Sequence, residues 1–419
     1  MKRSTVLSVL IALVGALALL AAGCGGGGGG GTTGGATGGG GEAKTVKIVS
    51  DLPLQGSTAS QTEQMNNAIK LYLQQINNKV GNYTIQFEAF DDSTAAKGAW
   101  DEATCAANAR KYVEDTSVIG VIGTFNSGCA KIEVPIANEA SLAYISPANT
   151  GVGLTHVGPG SEPGEPEKYY PSGTRNYARV VTPDDVQGAI DANYMKDKLG
   201  VTKVFILDDK DAYGKGVADA FEDAAKNVGL AVAGHEGWDA NAQNYKALMT
   251  TIKSSGADGI FVGGISCYNG GQLVKDKVSV VGDNNAVKLV VSDGFVVASL
   301  FDEAGADNVE GAYGSAPTLN PEDLPGAGKE FIAKVEQQFG KPEVYTAYAV
   351  AAVQMMLAAL EKSDGTREGV TGALAGASAD TVVGPITFDE NGDPKDKFES
   401  IFQGKSGSWT FVEQFKAPS

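Results

Sequence analysis

The stretch that decides the fold is Val118-Ile-Gly-Val-Ile-Gly-Thr-Phe-Asn-Ser-Gly128. Its first six residues are apolar or glycine without alternation, which predicts a strand from Val118 to Gly123 that is buried on both faces. A polar turn follows, then a helical pattern from Cys129 to Ala140 and a second apolar strand from Leu142 to Ser146. Two buried strands joined by a helix form a βαβ unit, and such units build parallel sheets covered by helices.

The same alternation continues in both directions from this unit. Upstream, the patterns predict strands at Thr45 to Ser50 and Tyr83 to Phe90, and helices at Thr62 to Asn77 and Thr104 to Val113. A second series follows, with strands at Lys203 to Leu207, Ala231 to Gly234, Gly259 to Gly263 and Val287 to Val291, and helices at Gly214 to Asn227, Asn244 to Ser254 and Gly270 to Val278. The two series predict an α/β fold of two Rossmann-like lobes with parallel central sheets.

Two further segments have their own patterns. The run from Tyr345 to Leu360 is apolar almost all round, which predicts a buried core helix rather than a membrane span. The segment from Val157 to Arg179 is rich in glycine and proline and has neither a helical nor a strand period. We therefore expect a long, solvated surface loop there.

Composition and charge exclude several classes of function. Glycine makes up 56 of the 419 residues, but fourteen lie between Gly23 and Gly41, and the rest suit a globular chain with many turns. From Glu42 onward the chain has 31 basic and 50 acidic residues, which disfavours nucleic-acid binding. The chain has just two histidines, His156 and His235, so histidine-based catalysis or metal binding has little to work with.

The first 43 residues predict export. A basic start precedes an apolar run from Val6 to Ala22, and small residues follow, which is typical of a secretory signal. The segment Leu20-Ala-Ala-Gly-Cys24 resembles a bacterial lipobox, so we expect a lipoprotein signal peptide at 1–23 and a lipidated Cys24. The Gly-rich segment 24–43 would be a flexible tether to the outer face of the bacterial cytoplasmic membrane. A soluble exported protein is the alternative.

Three cysteines remain in what would be an oxidising compartment. A helix-like run and a strand-like run separate Cys105 from Cys129, so their Cα atoms could approach closely, and we expect a disulfide between them. Cys267 would then be unpaired.

Polar residues follow the predicted strands, at the edge where open parallel sheets bind ligands. Ser127 would place a hydroxyl beside the free N–H groups of a helix N-terminus, which suits a carboxylate, although Asn126 or Ser127 could simply cap the helix. In the second series, Tyr213 would lay its ring over a bound solute. Asp293 would meet an ammonium group, or it could only cap a turn. The turn from Ser146 to Thr150 adds further donors and acceptors.

The order of several fragments suggests a family. These fragments are Val121-Ile-Gly123 through Ser127, Ile145-Ser-Pro147 with Leu154-Thr155, Asp209 to Gly216, Val262-Gly-Gly264, and Gly384 to Asp389. From about Val46 to the C-terminus, the chain resembles the type I periplasmic binding proteins, and among them the branched-chain amino acid (leucine/isoleucine/valine) binding proteins of ABC transporters.

The resemblance implies two lobes that are joined by three hinge crossings and close on a small solute. It assigns residues 44–182 plus 316–382 to an N-terminal lobe and residues 183–315 plus 383–419 to a C-terminal lobe. Carried over by position, Ser127 and Thr150 would hold the ligand carboxylate, with the backbone of Ala148 and Asn149 beside them.

The remaining site residues also follow from the resemblance. Tyr213 would cover the ligand from the second lobe, and Asp293 would take the ammonium group, where the family usually has a longer Glu. The family's aromatic residue at the start of the first helix falls near Ser60, which predicts a more open or more polar wall. Ser266-Cys267-Tyr268 replaces an aromatic pair of the family, which leaves Tyr268 as the aromatic candidate at the pocket.

These expectations define a binding protein, not an enzyme. No Gly-x-Ser-x-Gly elbow, His-Glu-x-x-His, Walker loop or complete dinucleotide motif is present in the sequence, and we expect neither cofactor nor metal. The expected function is capture of an amino acid, of the branched-chain type or an analogue, by a monomer that delivers it to ABC permease subunits. Alternatives are a sensory module, an exported enzyme, or a receptor for urea, short amides or aromatic acids.

Overall fold

A computed structural model describes residues 44–417 of the chain. The predicted signal peptide, the lipidation site Cys24 and the whole of the tether lie outside the described residues. The described part forms two large, mainly parallel sheets with helices between their strands, which confirms the predicted α/β class with two lobes. None of its helices combines the length and apolarity needed to cross a bilayer.

The first lobe is built on a six-stranded sheet. In chain order its region holds β1 (Lys44–Leu52), α1 (Ala59–Gln75), β2 (Lys79–Val80), β3 (Tyr83–Asp91), β4 (Ser93–Thr94), β5 (Ala99–Trp100), α2 (Glu102–Glu114), β6 (Val118–Gly123), α3 (Ser127–Glu139), β7 (Ala143–Ser146) and β8 (Tyr177–Arg179). The strand order is β2-β3-β1-β6-β7-β8, and all neighbours except β2 and β3 pair in parallel. The short strands β4 and β5 form a separate antiparallel pair.

The second lobe contains the longer sheet. Its first part holds α4 (Asp184–Asn193), β9 (Lys203–Asp208), α5 (Ala212–Asn227), β10 (Ala231–Gly237), α6 (Lys246–Ser255), β11 (Gly259–Gly263), α7 (Gly270–Val280), β12 (Lys288–Val291), α8 (Ser299–Ala304), α9 (Ala306–Val309) and β13 (Tyr313–Ala316). The rest of the chain forms α10 (Gly326–Phe339), α11 (Thr346–Glu361), α12 (Arg367–Leu374), β14 (Ser378–Thr381), β15 (Gly384–Thr387), β16 (Phe398–Lys405) and β17 (Ser408–Lys416). The strand order is β10-β9-β11-β12-β13-β16-β17. Strand β16 is antiparallel to both of its neighbours, β13 and β17, and the other neighbouring strands pair in parallel.

The chain passes between the two sheets three times. It leaves the first sheet after β8, returns after β13 to form α10 and α11, and crosses again before β16. Ile386 and Phe388 still pack in the core of the first lobe, whereas β16 starts at Phe398 in the second sheet. The third crossing therefore follows Phe388, later than the predicted boundary at residue 383. The other two boundaries stay predictions.

Helix α11 forms the centre of the first core. Thirteen of its sixteen residues are buried, which confirms the predicted core helix. It packs under β6, where a Cβ atom on Gly120 would lie 2.4 Å from the sulfur of Met356. A side chain at Gly120 would push this helix away from the sheet, so the glycine permits close packing.

The glycine-rich segment from residue 157 to residue 179 differs from the expected solvated loop. It contains a short 3-10 turn, Glu167–Tyr169, and it ends in β8 at the sheet edge. Tyr169 and Tyr170 are buried, so the segment packs against the first lobe. Gly160, at φ +86°, lies against the backbone of α5 in the second lobe. Such short elements leave no period in the sequence, because three residues are too few for a repeating pattern of buried and exposed positions.

Candidate functional site

The loops that follow β6 and β7 lie side by side at one edge of the first sheet. The side-chain amide of Asn149 donates a hydrogen bond to the carbonyl of Phe125 at 3.0 Å and so joins the two loops. Ser127 is the first residue of α3, and its Oγ accepts a hydrogen bond from the N–H of Gly151 at 3.1 Å. Because this bond uses the oxygen only, the Ser127 hydroxyl can still donate its hydrogen to a ligand.

The backbone beside Thr150 is already engaged within its turn. Ser146 Oγ accepts hydrogen bonds from the N–H groups of Ala148, at 3.1 Å, and Asn149, at 2.8 Å. These two N–H groups are therefore not free to bind a carboxylate. This differs from the expectation that the backbone of Ala148 and Asn149 would contact the ligand carboxylate directly. The hydroxyl of Thr150 is buried and makes no regular hydrogen bond with the described residues. Its neighbour as an acceptor is the carboxylate of Asp184.

A buried arginine supports this loop from below. Arg179 donates to the carbonyls of Asn149, at 3.1 Å, and Gly151, at 2.9 Å, and its Nε lies 2.6 Å from Asp393 Oδ1. Its guanidinium is wholly buried in these contacts. Arg179 thus fixes the position of the loop. Its positive charge is paired with Asp393 and does not face a ligand.

Asp293 stands at the carboxyl end of β12 in the second lobe. Its Oδ1 accepts hydrogen bonds from the Tyr213 hydroxyl and from Gln187 Nε2, the latter at 3.1 Å. Its Oδ2 accepts from the Tyr345 hydroxyl at 2.5 Å. Burial raises the pKa of Asp293 above its usual value, while these three donors oppose that rise. Tyr345 also packs edge-on against Phe125, with ring centroids 5.6 Å apart, and so links the acid to the first lobe.

A second buried carboxylate lies near Asp293. Asp184 starts α4, and its N–H donates to the carbonyl of Thr150 at 2.9 Å. Both carboxylate oxygens are buried without a regular hydrogen bond, although the Thr150 hydroxyl lies beside them. Burial, and then the negative charge of Asp293, raise the pKa of Asp184 well above its usual value. Two carboxylates of this kind favour the approach of a cation.

The two predicted tyrosines occupy different places. Tyr213 is buried at the start of α5, and its hydroxyl is held by Asp293. Tyr268 lies in the loop after β11, beside the indole of Trp100 in the first lobe. Tyr268 therefore lies where the two lobes meet, and Tyr213 lies at the acidic end of the site.

A disulfide joins Cys105 of α2 to Cys129 of α3, with their Cα atoms 5.8 Å apart. Cys129 is two residues after Ser127, and Trp100 packs against the disulfide. This bond therefore fixes the start of the helix that presents the Ser127 hydroxyl. Cys267 has no disulfide partner among the described residues, and burial raises the pKa of its thiol.

The start of α1 corrects one predicted site residue. Ser60 is exposed to solvent and does not line an enclosed site. The next residue, Gln61, is 2 % exposed, and neither atom of its side-chain amide has a hydrogen-bond partner in the described part of the chain. The predicted position, Ser60, is one residue before the buried position, Gln61. The sequence does not distinguish the two, because both the buried and the exposed residues near Ser60 are polar.

The structure adds four residues that the sequence did not single out: Gln61, Asp184, Gln187 and Tyr345. Asp184 and Gln187 follow the first crossing between the lobes, and polar residues at a predicted hinge would have been a usable signal. Tyr345 begins the apolar run of α11, which we interpreted only as core. No feature of that run distinguishes a tyrosine that packs from one that binds an acid.

Known proteins resemble this chain over most of its length. A family model described as periplasmic binding protein matches residues 45–399. The relative Leu/Ile/Val-binding protein homolog 2 of Brucella abortus is 28% identical over 370 residues, which cover 86% of this chain and 92% of the relative. An amino acid binding protein of Pseudomonas aeruginosa is 28% identical over 306 residues, covering 72% and 75% of the two chains.

Solved structures share the fold. The leucine binding protein LivK of Thermotoga maritima superposes with a TM-score of 0.75 at 21% identity, covering 88% of this chain and 98% of the other. LivJ of Streptococcus pneumoniae, in complex with isoleucine, also gives 0.75, at 22% identity and with coverage of 89% and 100%. A solute binding protein of an ABC transporter from R. palustris, in complex with benzoate, gives 0.72, at 20% identity and with coverage of 88% and 96%.

Proposed function

Because the chain belongs to the periplasmic binding protein family, we propose that it is the extracytoplasmic receptor of an ABC importer for an amino acid or a close analogue. The observation that carries the proposal is a site with two different sides. One side presents hydroxyl donors, and the other presents two buried carboxylates, Asp184 and Asp293. A zwitterion with a carboxylate and an ammonium group matches both sides.

The ligand carboxylate would bind at the first lobe. The hydroxyl of Ser127 keeps a hydrogen to donate, and that of Thr150 has no regular partner. Both lie at the N-terminal end of α3 or on the loop beside it, where the helix dipole favours negative charge. The backbone of Ala148 and Asn149 would shape this subsite, while their N–H groups remain bonded to Ser146.

The ligand ammonium would bind at the second lobe. Asp293 is held by Tyr213, Tyr345 and Gln187, which fixes both oxygens in place. An ammonium group that arrives between Asp293 and Asp184 would relieve their mutual repulsion and favour the ionised form of both. Tyr213 would then cover the ligand from the second lobe, and Tyr268 would lie at the closing edge.

The same charges disfavour an aromatic acid. A benzoate-like ligand has a carboxylate but no cation, and it would leave Asp184 and Asp293 buried without a counter-charge. One neighbour in the fold binds benzoate, so aromatic acids form the natural comparison set.

The test is a binding screen of the purified protein. Native mass spectrometry identifies any solute that co-purifies, and isothermal titration calorimetry then compares L-amino acids, benzoate and urea. We expect at least one α-amino acid to bind and benzoate not to bind. The N-acetyl derivative of that amino acid, which lacks the ammonium group, should not bind either. Binding of benzoate together with failure of all amino acids would refute the proposal.

We also propose that the receptor is a monomer held to the membrane through a lipid on Cys24. The lipid anchor rests on the lipobox-like segment Leu20 to Cys24. The wild type should sediment with membranes, and a Cys24→Ala variant should not. Equal distribution of both forms would exclude a lipid anchor at this cysteine.

A further inference from the structure

Three polar side chains in the first helix region and in the loop after β11 have no hydrogen-bond partner in the described part of the chain. They are Ser57 at its hydroxyl, Ser266 at its hydroxyl, and Gln61 at both amide atoms. Gln61 and Ser266 are almost completely buried. A buried amide without partners is costly, so such groups normally face a ligand or ordered water.

Ser57 and Ser266 line one cavity between the lobes. This cavity has a volume of about 450 Å³, and its walls come from the Gly56 and Gly98 loops of the first lobe and the Ser266 to Gln272 loop of the second. A polar group that enters here meets hydroxyls from both lobes.

Gln61 lies in the first turn of α1, four residues after Ser57, and its amide is buried. Gln61 and Gln64 are three residues apart within α1, so they lie on one side of the helix. Gln64 Oε1 accepts hydrogen bonds from the N–H of Glu343, at 2.9 Å, and from the hydroxyl of Thr346, at 2.6 Å. These two residues flank Tyr345, which binds Asp293. Gln61 therefore lies on the side of α1 that faces the segment carrying Tyr345.

We propose that Gln61 selects a ligand whose side chain ends in a polar group with both a donor and an acceptor, such as a primary amide or a ureido group. This inference rests on the proposed function, since it assigns the far end of the same amino acid. An amide can pair with an amide through two hydrogen bonds, one in each direction. An aliphatic side chain would leave both atoms of Gln61 unpaired, and a site built for hydrogen bonds rejects such an analogue strongly.

The test compares two ligands of similar length, L-glutamine and L-methionine, by calorimetry on the wild-type protein. Each unpaired buried polar group lowers affinity by about tenfold to a hundredfold. We expect L-glutamine to bind at least about tenfold more tightly than L-methionine. This comparison needs no variant and does not depend on how a substitution folds.

The variant Gln61→Met removes the amide and keeps the length of the side chain. It should lower the affinity for L-glutamine by about tenfold or more and leave that for L-methionine unchanged or higher. Ser60→Ala, at the exposed neighbouring position, is the matched control and should change neither affinity. A melting temperature close to that of the wild type shows that each variant is folded.

The outcomes separate this inference from the proposed function. If amino acids bind but L-methionine or L-leucine matches L-glutamine in the wild type, the amide does not select the ligand and this inference fails, while the proposed function stands. If no amino acid binds, the proposed function fails, and the inference fails with it. An unchanged ligand preference in Gln61→Met would also overturn the assignment.

Discussion

Asp293→Asn tests the central charge of the proposed site. The substitution keeps the shape of the side chain but removes the negative charge that would face the ligand ammonium. Asp293 is 6 % exposed, so solvent screens the interaction little. At an effective dielectric constant of about 20, unit charges about 4 Å apart attract by about 4 kcal/mol. Breaking a buried pair usually costs about 3 to 5 kcal/mol, which agrees with this figure.

The expected result is a rise in Kd of about 150-fold or more for the amino acid found in the binding screen. Asp184 still faces the same space in this variant, so the lower end of the range applies. The assay is isothermal titration calorimetry at pH 7, with thermal unfolding to confirm the fold. Asp302→Asn, an exposed acid on α8, controls for the change in net charge. A Kd within threefold of the wild type in folded Asp293→Asn protein would refute the role of this carboxylate.

Three further predictions concern the supports of the site. Ser127→Ala should weaken binding by about 1 to 3 kcal/mol through loss of a buried donor, as measured by calorimetry. Replacing Cys105 and Cys129 by alanine should lower the free energy of unfolding in urea by about 3 kcal/mol, because the disulfide closes a loop with a sequence separation of 24. Hydrogen bonds to Asp185 and then Asp393 raise the pKa of His156 from 6.5 to about 9. Protonated His156 thus stabilises the folded state fully below pH 6.5, and this contribution is lost as the pH rises to about 9, so the melting temperature should fall over that range in the wild type but less in His156→Gln.

The sequence predicted those parts of the fold that depend on burial on both faces of a strand. The strand from Val118 to Gly123 is recovered with the same bounds, and α3 follows it directly. An uninterrupted apolar run of this length has few alternatives in an α/β chain, and the loop after it must lie at the sheet edge. The placement of Ser127 at the start of α3 follows from the same pattern.

The parts that could not be predicted depend on contacts between distant segments. Helix α1 buries Gln61 and Thr62 along with Met65, so hydrophobic spacing does not define which side faces inward. Strand β8 could not be predicted for a different reason. Its three residues pair with β7, but three residues are too few to show the alternation of a strand. Buried polar residues look like surface residues in a sequence. A helix that carries them therefore gives no clear pattern from which its buried side can be predicted.

Tyr345 contacts both lobes, and one of its contacts is with Asp293 of the proposed ammonium site. Its hydroxyl donates to Asp293 of the second lobe, while its ring packs on Phe125 of the first. The backbone on either side is held to α1 through Gln64. The contact between Tyr345 and Asp293 therefore depends on the angle between the two lobes. If Asp293 binds the ligand ammonium as proposed, a ligand held between the lobes would favour the arrangement in which this contact is made, because it would bind that arrangement more tightly. Asp293 would then both bind the ligand and, through Tyr345, hold the two lobes together.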